Sequence, residues 1–187
     1  MDVALFGGSF DPPHVGHVLA VAYALTIEPF EHVLVVPVLA HSFGKQLAPF
    51  EDRVVMTRAA MADLSRVEVS TVEEHLGAPS RTLRTVRHLL SEHPDWKLRL
   101  VIGADVHLER HSWFGFEELE KLAPPLVLGR SGVLNDEAPV PVLPEVSSTH
   151  VRGLLAETSG DRRANAELSR LVPRRVLDHI EAHGLYR

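Results

Sequence analysis

Gly7-Gly8-Ser9-Phe10-Asp11-Pro12-Pro13-His14-Val15-Gly16-His17 stands between two apolar stretches. Before it, Val3-Ala4-Leu5-Phe6 is a short unbroken apolar run that reads as a buried strand. After it, Val18-Leu19-Ala20-Val21-Ala22-Tyr23-Ala24-Leu25 reads as a helix. A strand that passes through a glycine-bearing loop into a helix N-terminus aims free backbone N–H groups and a positive dipole end at one place, where an anion fits. Gly7 and Gly8 carry no Cβ and let the backbone approach a ligand closely. With a helix starting near Pro13, His14 and His17 fall on one face of its first turn. The spacing is neither G-x-G-x-x-G nor G-x-x-x-x-G-K-[ST], so it implies neither a dinucleotide fingerprint nor a P-loop.

Outward from this stretch, strands and helices alternate. His32-Val33-Leu34-Val35-Val36-Pro37-Val38 is a second apolar run, continuous enough to be buried on both faces of a parallel sheet. A loop from Leu39 to Pro49 carries His41 and Lys45. Glu51 to Leu64 reads as a helix with Arg53 and Arg58 on its polar side, and Val67-Glu68-Val69 as a short strand. Gly77 and Pro79 mark 73–80 as a loop, and Ser80 is placed to cap a helix over Arg81–Glu92. Leu98-Arg99-Leu100-Val101-Ile102 is the next strand and ends in the turn Gly103-Ala104-Asp105. Phe116 to Leu122 is helical, and Leu126-Val127-Leu128 is a strand closed by Gly129-Arg130. After a polar loop at 131–139, Val140-Pro141-Val142-Leu143 reads as an edge strand, because Pro141 donates no hydrogen bond. The alternation with short links predicts an α/β fold, a doubly wound Rossmann-like parallel sheet with helices on both faces and a C-terminal helical segment. The 187 residues read as a single domain, with 146–187 as its C-terminal helical part. In such sheets ligands bind at the C-terminal ends of the strands, which is where the Gly7 loop, 39–49, Gly103–Asp105 and Gly129–Arg130 fall.

Composition narrows the function classes. No apolar run approaches the ~18 residues of a membrane span, and a strand so close to Met1 leaves no room for a signal peptide. The chain has no cysteine, which excludes disulfides and thiolate chemistry and fits a cytoplasmic protein. A net charge of −6 argues against general affinity for nucleic acid or anionic membrane, so any polyanionic ligand must meet locally gathered counter-charge. Among twelve histidines, His107 and His111 lack the His-Glu-x-x-His order of zinc proteases, and most of the twelve read as surface residues. No metal-ligand set is read from the chain. Asp11, before Pro12, reads mainly as a turn former.

A second stretch, Ser147-Ser148-Thr149-His150-Val151-Arg152, opens another helix through Leu154-Leu155-Ala156. Ser148 or Thr149 would be its N-cap, and Arg152 lies one turn in on the Ser148 face. Two hydroxyls and a guanidinium at a helix N-terminus make a second phosphate cradle.

The two stretches together resemble the His-x-Gly-His nucleotidyltransferase superfamily, whose second signature is usually Ile-Ser-Ser-Thr-x-Ile-Arg. Within it, Gly-Gly-Ser-Phe-Asp-Pro-Pro-His-x-Gly-His, Gly103-Ala104-Asp105 followed by Trp113, and the tail 171–186 ending Gly184-Leu185-Tyr186 look most like the bacterial nicotinate mononucleotide adenylyltransferases. The resemblance implies attack of a mononucleotide phosphate on the α-phosphorus of ATP, with Mg2+ accompanying the phosphates and pyrophosphate leaving, in NAD biosynthesis. It implies that His14, His17 and Arg152 are the catalytic contacts, and that Gly7, Gly8, Ser9, Ser148 and Thr149 hold ATP phosphates. Gly103 and Asp105 would meet a sugar, Arg130 and Lys45 would contact ATP, and Trp113 would stack on the pyridine ring with Arg81 and Thr82 beside it. Two departures stand out. His41 and Lys45 are separated where the family often has an adjacent His-Lys pair, and Arg81 stands where an aromatic residue is common. Arg81 can pair with a carboxylate, which favours nicotinate over nicotinamide. Nicotinamide mononucleotide or phosphopantetheine as acceptor, and a catalytically silent nucleotide sensor, are the competing readings. Assembly into a homo-oligomer is left open.

Overall fold

The computed structural model describes residues 1–40 and 46–187. Five strands form one sheet: β1 (Asp2–Gly8), β2 (His32–Pro37), β3 (Val67–Val69), β4 (Lys97–Gly103) and β5 (Pro125–Leu128). Their spatial order is β3-β2-β1-β4-β5, and every pairing is parallel. The chain leaves β1 toward one edge through β2 and β3, then returns to place β4 on β1's other side. The strand order therefore reverses between β1 and β4, and a crevice opens beyond their C-terminal ends.

Alternate side chains of each strand serve opposite faces. On one face Ala4, Phe6, Val33, Val35 and Val101 pack against Ala20, Val21 and Ala24 of α1 (Val15–Ile27). On the other, Val3, Leu5, Leu34, Val36, Leu100 and Ile102 pack against Leu83, Val86 and Leu89 of α4 (Thr82–Glu92) and Leu119 of α6 (Phe116–Leu122). Burial on both sides explains the unbroken apolar runs of β1 and β2. The sheet is thus a parallel one with helices on both faces, as the alternation predicts. A third cluster joins Met56 and Ala60 of α2 (Phe50–Met61) to Val151 and Leu155 of α7 (Ser148–Glu157), Leu168 of α8 (Leu168–Leu171) and Val176, Leu177 and Ile180 of α9 (Arg174–His183). This cluster anchors the C-terminal helical segment beside the crevice. Among the described residues no helix is long and apolar enough to cross a membrane.

Several sequence expectations are corrected. The stretch 73–80 is not all loop, because α3 (Val72–Leu76) lies there and its Glu73 is buried. Glu73 accepts from Leu39 N–H (3.1 Å) and the Thr85 hydroxyl (3.0 Å), and these bonds hold the short helix inward. Gly103-Ala104-Asp105 is not a free turn but the start of α5 (Ala104–Leu108). The stretch 140–143 forms no strand. Val142 and Leu143 N–H both donate to the Gly129 carbonyl, and only Leu143 bridges Arg130. Ser80 does not cap α4, and its hydroxyl accepts from Ala40 N–H. Most of the twelve histidines read as surface residues, but His107 is buried beside Asn135 and His14 is buried as well.

Candidate active site

His14 and His17 are set by the start of α1. His14 is the N-cap in extended conformation, and its N–H donates to His17 Nδ1 at 3.1 Å. That bond fills the Nδ1 lone pair of His17, so a neutral His17 carries its proton on Nε2 and presents a donor there. The two rings stack with centroids 3.8 Å apart. Phe10, buried with φ 47°, puts its ring edge on His17 at 4.9 Å. Burial pushes the His14 imidazole down to about 4, with the Arg130 charge adding to the effect. Burial also holds His17 well below the usual imidazole value, helped by His14 and Arg130. Both rings are therefore neutral at pH 7. His14 Nδ1 is buried with no hydrogen-bond partner among the described residues.

The two leading glycines have different reasons. A Cβ on Gly7 would meet only the Val36 carbonyl at 4.0 Å, so the space above Gly7 stays open to a ligand. A Cβ on Gly8 would lie 3.1 Å from the Phe10 ring, so Gly8 accommodates the side chain that supports His17. Gly16 is also a packing residue. A Cβ there would approach Val146 Cγ1 to 2.9 Å and His14 Nδ1 to 3.1 Å. The central glycine of His-x-Gly-His thus lets the first motif pack against the residue just before the second.

The second motif is tied to the first. Ser147, rather than Ser148 or Thr149, caps α7 by accepting from His150 N–H at 3.1 Å. Ser148 is displaced from the capping role because its hydroxyl donates to the Pro12 carbonyl at 2.9 Å. Arg152 Nη1 donates to the Asp11 carbonyl at 2.6 Å, and Nη2 donates to the Thr149 hydroxyl at 3.2 Å.

A cavity of about 660 Å3 opens at the β1/β4 crevice. Gly7, Gly8, Ser9, His14, His17 and Ser148 line one part of it. Gly103, Asp105 and Arg130 line a second part, and Arg81, Thr82 and Trp113 a third. Arg130 Nη1 donates to Asp105 Oδ2 at 2.6 Å, and Nη2 donates to the Val146 carbonyl. Asp105 Oδ1 is buried and has no hydrogen-bond partner among the described residues. Arg81 lays its guanidinium over the exposed Phe114 ring, 4.1 Å from its centroid, and Trp113 meets Phe116 edge-on. Thr149 and Arg152 do not line this cavity. Lys45 and His41 lie outside the described residues.

Three structural supports are missed by sequence reasoning. Arg53, expected on the polar side of its helix, is buried at 1% exposure. Its guanidinium donates to the carbonyls of Ser9, Val38, Leu39 and Ala48 at 2.8–3.1 Å, so one side chain holds the loops after β1 and β2. The signal that could have found it is helical phase, since Arg53, Met56, Thr57 and Ala60 share one face of α2. Asp11, read mainly as a turn former, is a buried acceptor for Ala48 N–H (3.1 Å) and the Tyr186 hydroxyl (2.8 Å). Glu73 also lines the cavity, and no motif points to it.

Comparison with known proteins agrees with this geometry. The cytidylyltransferase-like family model matches residues 5–154. The probable nicotinate-nucleotide adenylyltransferase of Anaeromyxobacter sp. (strain K) is 40% identical over 192 residues, spanning 100% of this chain and 97% of that protein. A probable nicotinate-nucleotide adenylyltransferase of Thermus thermophilus is 36% identical over 193 residues and spans 100% of both. Among solved structures, Plasmodium falciparum nicotinic acid mononucleotide adenylyltransferase complexed with NaAD superposes with a TM-score of 0.84 at 18% identity, covering 99% of this chain and 97% of that one, a likeness of fold.

Proposed function

Because this chain belongs to the nicotinate-nucleotide adenylyltransferase family, we propose that it joins nicotinate mononucleotide to the AMP part of ATP, releasing pyrophosphate and giving deamido-NAD. The observation that carries the reading is the stacked pair of imidazoles at one helix N-terminus, in a motif whose loop is tied to the second motif through the Pro12 carbonyl and which faces a cavity at the strand-order reversal. The absence of cysteine fits work in the cytoplasm.

The reaction follows from what these groups offer. A phosphate oxygen of the mononucleotide forms a bond to the α-phosphorus of ATP, and the bond from that phosphorus to the β-phosphate bridging oxygen breaks. The nucleophile is already an anion, so no general base and no covalent enzyme intermediate are needed. The site must hold two polyanions in line and stabilise the charge that grows on the α-phosphate. His17 Nε2–H is a donor for that α-phosphate, and His14 is a second. The Gly7-Gly8-Ser9 backbone and Ser148 receive the phosphates, with Thr149 and Arg152 on the β/γ side. Arg130 exchanges Asp105 for phosphate. Gly103 and Asp105 face the sugar. Trp113 stacks on the pyridine, and Arg81, slid off Phe114, pairs with the nicotinate carboxylate beside Thr82.

Mg2+ carried on the ATP phosphates supplies further charge neutralisation. The residues present fit such an ion, because Mg2+ needs only one or two carboxylates besides phosphate and water, and Asp105, whose carboxylate borders the cavity, would hold it once Arg130 turns to phosphate.

Pyrophosphate release with ATP and Mg2+, offered nicotinate mononucleotide, nicotinamide mononucleotide and phosphopantetheine separately, tests the proposal. Fast release with the first alone is expected. Equal release with both pyridine nucleotides would keep the chemistry and remove Arg81 as a discriminator. Release with phosphopantetheine alone would overturn the acceptor, and ATP binding without release in any tube would make the protein a nucleotide sensor.

A further inference from the structure

Away from the cavity, α9 carries His179 and His183, four residues apart and therefore on one helical face. Their rings stack with centroids 4.0 Å apart. Asp52, in the first turn of α2, faces them across the α2–α9 seam, with Oδ1 2.8 Å from His179 Nε2. One ligand atom from each of the three residues lies within 4.8 Å of the other two. His183 Nδ1 lies 3.0 Å from the His179 carbonyl. A carbonyl only accepts, so Nδ1 carries the proton and the lone pair of His183 is on Nε2. A ligating imidazole commonly has this arrangement, one ring nitrogen tied to a carbonyl and the other free for a cation. Asp52 and His179 are half-buried and His183 is exposed, so the three are reachable from solvent without opening the fold.

We infer that Asp52, His179 and His183 form a binding site for a borderline divalent transition-metal cation, of which Zn2+ and Ni2+ are representatives. Two imidazoles and one carboxylate select such ions over Mg2+, which takes oxygen ligands and keeps its water. Metal bonds of about 2.1 Å meeting at roughly 90–110° put two ligand atoms about 3.0–3.4 Å apart, so Asp52 and His179 are already near the required spacing and His183 has to swing in by rotamer. Water completes the coordination. The position gives the ion structural leverage. Asp52 precedes Arg53, which holds the Ser9 and Val38 carbonyls, and α9 leads to Tyr186, which holds Asp11. An ion at the seam crosslinks the two helices from which both tethers of the site loop extend.

The test uses chelator-stripped full chain without nucleotide, titrated calorimetrically with Zn2+, Ni2+ and Mg2+, and melted with and without each. Wild type is expected to bind Zn2+ and Ni2+ and not Mg2+ at this site, with the melting temperature rising by about 5–10 °C at a Zn2+ concentration about a hundredfold over the dissociation constant. His183→Ala, an exposed change, and Asp52→Asn, which keeps the side-chain volume, should each weaken Zn2+ binding by about tenfold or more and remove the thermal shift. Zn2+ isotherms and thermal shifts that are the same in wild type and both variants would overturn the assignment, since the binding would then belong to other histidines. Failure of wild type to bind either transition metal would overturn it as well.

Discussion

The Tyr186 hydroxyl donates a 2.8 Å hydrogen bond to Asp11 Oδ1, joining residues 175 positions apart in the chain. Burial, and then the Asp11 carboxylate, push the phenol well above its usual value, so it remains a donor throughout the working pH range. Asp11 sits in the loop that carries His14, and its own backbone carbonyl receives Arg152. Tyr186→Phe removes one partner from a buried carboxylate and should cost about 1–3 kcal/mol in urea unfolding. The KM for ATP should rise more than kcat falls, because the loop loses a support and the reacting groups are untouched.

Arg53 is predicted to be the most costly charged residue to remove. Arg53→Leu leaves four carbonyls without their donor and the Asp11 and Glu73 carboxylates without their neighbouring charge. The expected loss is about 3–5 kcal/mol by chemical denaturation. Arg53→Lys should recover only part of it, since one ammonium cannot span the positions a planar guanidinium reaches.

Gly16→Ala tests the contact between the two motifs. The added methyl would press on Val146 at 2.9 Å and on the His14 ring at 3.1 Å. A cost of about 1–3 kcal/mol is expected, together with a fall in kcat from displacement of His14. Val146→Ala in the same chain should restore part of both, and a double-mutant cycle measures the coupling. Strict additivity of the two changes would mean that the motifs are not coupled through this contact.

The neutral state of the histidines separates two substitutions at His17. On the proposed function, His17→Ala removes a donor to the reacting phosphate and should lower kcat about 100- to 1,000-fold. His17→Gln keeps a neutral N–H donor and should retain more activity than alanine. Were the imidazolium charge the essential feature, glutamine and alanine would be equally poor.

Stability should fall as the solution is acidified. The folded protein holds the His14 imidazole at about 4, against the ordinary value near 6.5. Between these values the unfolded chain binds the extra proton and the folded one does not, so unfolding free energy decreases as pH drops from 6.5 to 4. The contribution of His14 is up to about 3 kcal/mol. Urea midpoints measured across that window check it, and His14→Gln should flatten the slope. If ATP binds as proposed, its phosphates beside the two rings favour the protonated forms, so nucleotide binding near pH 5–6 should take up protons, measurable by calorimetry in buffers of different ionisation enthalpy.

How much of this was legible in the sequence depended on whether a residue type agreed with its position. The runs at Val3–Phe6 and Val33–Val36 gave buried parallel strands directly, because nothing polar interrupts them. The strand order was not legible, since identical apolar runs pair equally well in any order until the crossovers are packed. Gly77 and Pro79 concealed α3, a helix too short to carry a periodic signal and held by the bonds of one buried glutamate. Arg53 was misplaced because its charge outweighed its phase, although it shares the α2 face of Met56 and Ala60. The residues at the cavity were legible through motif order, whereas their supports are scattered over 11, 53, 73 and 186 and meet only when the chain is folded.

The central place of β1 has a consequence during synthesis. One edge of β1 can pair with β2 after some 30 residues, but the other waits for Lys97 to Leu100, about 95 residues later. At translation rates of about 5–20 residues per second, the Asp2–Leu5 edge remains without its partner for about 5–20 s. Over that interval the nascent chain exposes an apolar strand with open N–H and C=O groups, a natural target for chaperones and a surface prone to aggregation. The crevice between β1 and β4 does not exist until that gap is closed, so any ligand of that crevice can stabilise only chains that have already passed the hazard.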